Sequence, residues 1–342
     1  MKAVEGRPQS VQVVCAIQEE SQVGSARREA ERLARSLGLD DVARGRVGIA
    51  VMELCTNMLR HAAGGELLLQ AVSAVGEEWL EVLAVDRGKG IEHLDRAMED
   101  GHSTAGSSGT GLGAVRRASD EFDIFSEAGR GTVVLSRIRS VRAGASALAF
   151  RWGAVATNAP GEFVSGDRWQ LHLRDGICSL MMADGLGHGV EAEKAAVEAA
   201  RLFAQQGSGS PTAYIARAHE SLRSLRGAAI AVAQWGISAD SLTYTGVGNI
   251  SAALVARNGR SRGLLSFNGT VGSEMQSPRE MTYPWQADDR LVMHSDGIQT
   301  RWSMSDRPAL AACHPAVVAA VLHRDYTRGR DDATIVVLER VH

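Results

Sequence analysis

Apolar and polar residues alternate in VQVVCAI (residues 11 to 17), the two-residue period of a half-buried strand. The next stretch, SQVGSARREAERLARSLG (21 to 38), changes to helical spacing and closes on a glycine, and a second helix is predicted over roughly 40 to 62. ELLLQAVSA and WLEVLAVD read as strands separated by a VGEE turn, and GTVVLSRIRS (131 to 140) reads as a further one. The first half is therefore expected to be a layer of helices on a mostly antiparallel sheet. VRAGASALAF is small and weakly patterned and reads as a junction, although a short strand could begin inside it. Beyond it the pattern changes to many strands, WQLHLRD, ICSLMMAD, AAIAVAQWGI, LTYTGVG, SAALVARNG, RLVMHSDG and ATIVVLER, with two helices near 189 to 206 and 211 to 225. That is a second α+β domain rich in hairpins. The expected division is 1–140, a linker at 141–149, and 150–342, with no internal repeat and no low-complexity tail.

Composition narrows the partners. A length of 342 residues favours two domains, each able to bury its own core. The formal net charge of −3 on mixed signs gives no electrostatic footprint for nucleic acid or an anionic membrane. Cys15, Cys55, Cys178 and Cys313 are scattered, without a CxxC pair, which reads as free thiols in a reducing compartment. No basic segment followed by an apolar core opens the chain and no run of about eighteen apolar residues occurs, so a soluble, cytoplasmic protein is expected.

Candidate chemistry in the first half begins with MELCTNMLRHA (52 to 62). Glu53 and Asn57, four apart, share one helical face, while Val47, Val51, Leu54 and Met58 form the apolar stripe on another. A solvated face explains that pair as well as a site does. VDRGKG (85 to 90) puts Asp86 at a strand end before Gly88 and Gly90, so that backbone can approach a flat ring while the carboxylate accepts from an exocyclic amine. GSSGTGLGAVRRASDEF (106 to 122) runs a glycine-rich loop directly into a helix, aiming backbone N–H groups at phosphates.

The order and spacing of these segments resemble the GHKL ATPases: an N-box helix, a DxGxG adenine loop, a glycine-rich lid and a closing GT strand, over nearly all of residues 10 to 140. ELCTNMLRHAAGGE and GTGLGAVRRASDEFDI are most similar to the small RsbT- and RsbW-type serine kinases, which phosphorylate STAS-domain anti-sigma antagonists. The resemblance implies a Bergerat α/β sandwich that binds ATP. Asn57 would hold one Mg²⁺ against the triphosphate, Asp86 would read the adenine amino group, and Gly88 and Gly90 would shape the adenine pocket. Gly109, Gly111 and Gly113 would line the phosphate lid, Thr132 would complete the base pocket, and Glu53 would be the general base. The lid is short, implying weak nucleotide binding until a partner closes over it.

In the second half, MADGLGHGVEAEKAA (182 to 196) carries Asp184 on a glycine-rich turn. Alone it reads as a tight turn. It has company in VSGDRW (Asp167), MHSDGI (Asp296) and GRDDATIVV (Asp331 and Asp332), each at the end or start of an apolar run. Carboxylates far apart in sequence converge at strand ends only if something offsets their repulsion. All-oxygen ligand sets suit Mg²⁺ or Mn²⁺, and two such ions can activate a water for in-line attack on a phosphate ester. Gly185, lacking a Cβ, lets its carbonyl come close to the metal.

GD, ADGxGHG, RGA, VGN, SDG and DDAT, in that order, resemble the PPM family of metal-dependent phosphatases (protein phosphatase 2C type), in its SpoIIE and RsbX branch, over about residues 150 to 342. The resemblance implies an αββα fold with two ions. Asp184 would bridge both, the carbonyl of Gly185 would join one, Asp296 and Asp331 would hold the other, and Asp167 would contact the first directly or through water. Asp332 would support the loop, and His188 would orient the turn or protonate the leaving serine oxygen. PGEFVSGD has no arginine before Asp167, where some larger relatives bind substrate phosphate with one.

The whole chain is thus expected to be a bifunctional switch. An ATP-dependent serine/threonine kinase module is joined to an opposing two-metal phosphatase, both acting on a STAS-domain protein, with a sigma-regulatory protein as a further candidate partner. Two alternatives stay open: a phosphatase whose first half binds nucleotide only to regulate it, and an ATP-controlled protein that sequesters a sigma factor in the anti-sigma manner.

Overall fold

The computed structural model describes residues 11–74, 77–98, 111–140, 150–206, 209–286 and 288–341. It divides into two compact units, one built on Gln12–Ser73 and Glu77–Ala147, the other on Leu148–His342.

The first unit runs β1 (Val13–Ile17), α1 (Glu20–Ser36), α2 (Asp41–His61), β2 (Gly65–Ala74), β3 (Glu77–Val85), α3 (Leu94–Ala97), α4 (Gly111–Ala118), β4 (Glu121–Glu127) and β5 (Gly131–Ile138). Its sheet has the order β1-β2-β3-β5-β4. Asp40 starts α2 by accepting from the Ala43 N–H at 2.8 Å, which satisfies one of the helix's unpaired donors. Val47, Val51, Leu54 and Met58 are buried as the periodicity predicts, in one core with Ala26, Ala30 and Leu33 of α1 and Leu67, Leu69, Leu80 and Val82 of the sheet. That packing fixes which face of α2 is turned away from the core, and Glu53 lies there. Glu81 and Arg137 sit opposite each other on β3 and β5 as a buried ion pair at 2.7 Å, with the guanidinium also stacked 4.7 Å from the Trp79 ring.

The second unit runs β6 (Phe150–Thr157), β7 (Asp167–Arg174), β8 (Ile177–Gly185), α5 (Val190–Gln206), α6 (Pro211–Leu222), β9 (Ala228–Gly236), β10 (Ser241–Val247), β11 (Ser251–Val255), β12 (Ser261–Leu264), β13 (Ser266–Phe267), β14 (Met281–Pro284), β15 (Arg290–His294), α7 (Pro308–Ala311), α8 (Pro315–Tyr326) and β16 (Ala333–Arg340). One sheet has the order β13-β10-β9-β8-β7 with β14 paired to β10, and the other β12-β11-β15-β16-β6. Helices α5 and α6 pack on the first sheet and α8 on β6 and β16 of the second. Between the sheets Trp235 of β9 stacks on Trp285 at 5.4 Å and meets Phe150 of β6 edge-on at 6.4 Å.

Two expectations are corrected here. The second unit has α8 in addition to the two long helices read from the sequence; every residue from Pro315 to Leu322 is buried, so no amphipathic period betrays it. Strand β4 of the first unit was also not expected, because its half-exposed pattern shows no alternation. Among the described residues, no helix is long and apolar enough to cross a membrane.

Candidate active sites

In the first unit a cavity of about 470 Å³ opens between α2 and the sheet, and its lining includes Asn57, Asp86, Gly90, Gly111 and Thr132. Five predicted residues from four separate segments therefore share one space. Asp86 follows β3, and its Oδ1 accepts from the N–H groups of Gly88 at 2.8 Å and Thr132 at 3.1 Å, tying the adenine-loop candidate to β5. The Thr132 and Ser126 hydroxyls lie 2.8 Å apart, and Ser126 also accepts from the Ile91 N–H at 2.7 Å. Lys89 and His93 join the lining. The sequence reading missed Lys89 and His93, which lie in and just after the DxGxG run, and Ser126, which carried no local signal.

Glu53 lines a different space, a groove of about 810 Å³ between α1 and α2, with Arg27, Arg28, Gly48 and Met52. Gly111 of α4 stands close to both Asn57 and Glu53. A Cβ on Gly111 would lie 3.4 Å from Asn57 Oδ1 and 4.0 Å from Glu53 Oε2. Glu53 lines the groove and Asn57 the cavity, and both come within 4.0 Å of that position. Gly88 does not line the cavity: a Cβ there would sit 2.6 Å from the Cβ of Ala62, so its bareness serves packing against the end of α2. Gly113 is buried inside α4, and Gly109 lies outside the described residues.

In the second unit the aspartates gather where the two sheets end. Asp167 opens β7 and Asp184 lies near the end of β8, and the two are direct cross-strand partners. Ser295 and Asp296 follow β15, and Asp331 and Asp332 precede β16, so the second sheet delivers its carboxylates to the same edge. The Ser295 hydroxyl links the sheets, receiving the Thr334 N–H at 3.0 Å and donating to Asp167 Oδ2 at 2.7 Å. Asp332 accepts from the N–H groups of Ala159 at 2.8 Å and Gly166 at 2.7 Å, a loop-supporting position. Asn249, whose VGN motif carried no assigned role, donates to Asp296 Oδ2 at 2.7 Å. Neither Ser295 nor Asn249 was singled out from the sequence, although each lies in or beside a recognised motif.

Electrostatics sets this cluster apart. Burial, aided by repulsion from Asp332 and Asp296 and opposed by the Ser295 hydrogen bond, pushes Asp167 up to about 7. Asp184 is raised well above the usual carboxylate range by burial and by Asp167, Asp296, Asp331 and Asp332. Asp296 is raised by burial and Asp331 and pulled back by Arg328 and Asn249. Asp167 Oδ1 is buried with no hydrogen-bond partner among the described residues. An orphaned carboxylate oxygen inside a cluster of mutually repelling carboxylates fits an all-oxygen site for hard divalent cations. Among the described residues, no three acidic, His or Cys side chains already stand at metal-ligand spacing.

The turn after β8 differs in one respect from expectation. A Cβ on Gly185 would lie 2.2 Å from the Ala192 carbonyl oxygen, so the glycine is required by the close approach of α5. His188 is turned to Glu162, with Nδ1 at 2.6 Å from Oε1, which anchors the ring at the surface.

Residues 17–138 match the family described as Histidine kinase-like ATPase domain, and residues 174–341 match Stage II sporulation protein E (SpoIIE). The chain is 36% identical over 118 residues to serine/threonine-protein kinase RsbT of Bacillus subtilis (strain 168), spanning 34% of this chain and 89% of that protein. It is 24% identical over 141 residues to phosphoserine phosphatase RsbX of the same organism, spanning 41% of this chain and 71% of that protein. A chain solved in work on the bacterial stressosome, a modular system adapted to control secondary messenger signalling, is 25% identical with a TM-score of 0.51, covering 56% of this chain and 99% of that one. The chain belongs to the histidine kinase-like ATPase family through its first unit, which is similar to the kinase RsbT, and its second unit matches the SpoIIE family and is similar to the phosphatase RsbX.

Proposed function

We propose that this protein is a bifunctional partner-switching regulator: the first unit phosphorylates a serine or threonine on a STAS-domain protein at the expense of ATP, and the second removes that phosphoryl group. The observation that carries the reading is the cross-strand pairing of Asp167 with Asp184 in a cluster with Asp296 and Asp331, because bound divalent cations neutralise such a set. The naming of a stressosome and of RsbT among the similar proteins supports a STAS-domain partner.

In the kinase half the cavity would take ATP, with Asp86 at the base, Thr132 beside it and Asn57 near the phosphates with one Mg²⁺. The hydroxyl would enter along the α1–α2 groove. Glu53 would take its proton as the oxygen–phosphorus bond forms and the bond to ADP breaks. In the phosphatase half Asp167, Asp184, the Gly185 carbonyl, Asp296 and Asp331 would hold two Mg²⁺ or Mn²⁺. When bound, such ions supply charge neutralisation at the phosphate and a water of lowered pKa for in-line attack. Ser295 fixes the Asp167 carboxylate, Asn249 fixes that of Asp296, and Asp332 holds the segment leading into Asp167.

The reading is tested by incubating a phosphorylated STAS protein with the full chain and Mn²⁺. Release of phosphate that stops with chelator or with Asp184→Asn supports it. Release that ignores both contradicts it.

A further inference from the structure

A dianionic phosphate ester approaching five aspartates needs a cation on the approach side as well as metals beneath it. The described arginines are mostly committed elsewhere: Arg168 pairs with Glu193 at 2.7 Å, Arg201 with Glu198 at 2.6 Å and Arg223 with Glu220 at 3.1 Å. Arg226 is different. It is exposed and makes no ion pair among the described residues, its charge reaching Glu191 only at longer range.

Its position follows from strand register. Asp184 pairs with Ala229 and Gly185 with Ala228, so the chain entering β9 runs beside the end of β8. The Leu186 N–H donates to the Gly227 carbonyl at 3.1 Å, clamping the segment that bears Arg226 to the turn after Asp184. Arg226 Nη1 lies 3.3 Å from where a Cβ on Gly187 would stand, and Gly187 has a φ of +84°, so no side chain is expected to compete for that space. On the other flank Arg328 and Arg330 are also exposed, but their charge acts on Asp296 and offsets repulsion within the cluster.

Resting on the phosphatase reading above, we propose that Arg226 binds the phosphoryl oxygens of the phosphoprotein substrate and of the released phosphate, over the Gly187 turn. A guanidinium suits this task because its planar fork matches two phosphate oxygens at once, which an ammonium does not.

The test uses the full chain with Mn²⁺, p-nitrophenyl phosphate as substrate and inorganic phosphate as inhibitor, comparing wild type, Arg226→Ala, Arg226→Lys and, as a surface control, Arg223→Ala. Arg226→Ala is expected to raise KM and the phosphate inhibition constant about tenfold or more together, with a smaller change in kcat and an unchanged Mn²⁺-induced thermal shift; Arg226→Lys should recover only part. KM and phosphate inhibition within twofold of wild type in both Arg226 variants, or a lost Mn²⁺ shift, would overturn the assignment. Absence of metal-dependent hydrolysis by wild type itself would instead overturn the phosphatase reading, and this inference with it.

Discussion

Asp167 and Asp184 face each other across the β7–β8 ladder, and the Ser295 hydroxyl from the opposite sheet holds the first of them at 2.7 Å. Two carboxylates directly opposite each other destabilise a hairpin, and bound cations offset that cost. Asp184→Asn removes the ionisable group and keeps the shape. Without metal at pH 8 it is expected to stabilise the second unit by about 1 kcal/mol, a rise of roughly 2–4 °C in its transition. The same variant should lose the rise in Tm that Mg²⁺ or Mn²⁺ gives wild type. Thermal scans with and without metal check both halves of this prediction.

His172 gives the second unit a pH dependence away from the site. It is buried on β7 against Phe203, with ring centroids 4.7 Å apart and neither ring nitrogen hydrogen-bonded among the described residues. Burial, reinforced by Arg174, lowers its pKa from 6.5 to about 4. The unfolded chain then binds a proton that the folded chain refuses between those values, so stability falls as pH drops through that window, by about 3 kcal/mol in all. His172→Leu should flatten that limb. Urea unfolding at pH 7 and pH 5 measures it, and an unchanged slope in the variant would exclude this histidine as the cause.

Asp86 both holds its loop and faces the cavity. Asp86→Asn retains an oxygen that can accept from Gly88 and Thr132, so Tm should move by no more than a few degrees. The lost charge-assisted acceptor for an exocyclic amine should weaken ATP binding about tenfold or more. Titration with a fluorescent ATP analogue reads the affinity, and undiminished binding would remove Asp86 from the base pocket.

Glu53 lies in the groove and not in the cavity. Glu53→Gln is therefore expected to bind ATP as wild type does and to lose phosphotransfer by a factor of about 10² or more. Equal loss of binding and transfer would place Glu53 among the nucleotide ligands.

Much of this was legible from periodicity and motif order. The α2 stripe of Val47, Val51, Leu54 and Met58 is buried as spaced, and that burial is what separates Glu53 from the core. The convergence of Asp167, Asp184, Asp296, Asp331 and Asp332 was readable because each sits at the edge of an apolar run. Helix α8 was not, since a helix apolar on every side carries no period. A packing reason for Gly185 was not legible, because the close neighbour, the carbonyl of Ala192, comes from a helix whose approach no local pattern encodes. Asn249 and Ser295 act through side chains that meet Asp296 and Asp167 only once the sheets are assembled.

The central claim is that two opposed activities share one chain. Its most direct test follows radiolabel from ATP onto a STAS-domain protein incubated with Mg²⁺ or Mn²⁺ and wild type, Asp184→Asn or Glu53→Ala. The account predicts that label accumulates only with Asp184→Asn and disappears when wild type is added. Label with none of the three, while wild type still dephosphorylates a phosphorylated STAS protein, would contradict it and leave the first unit a regulatory nucleotide sensor.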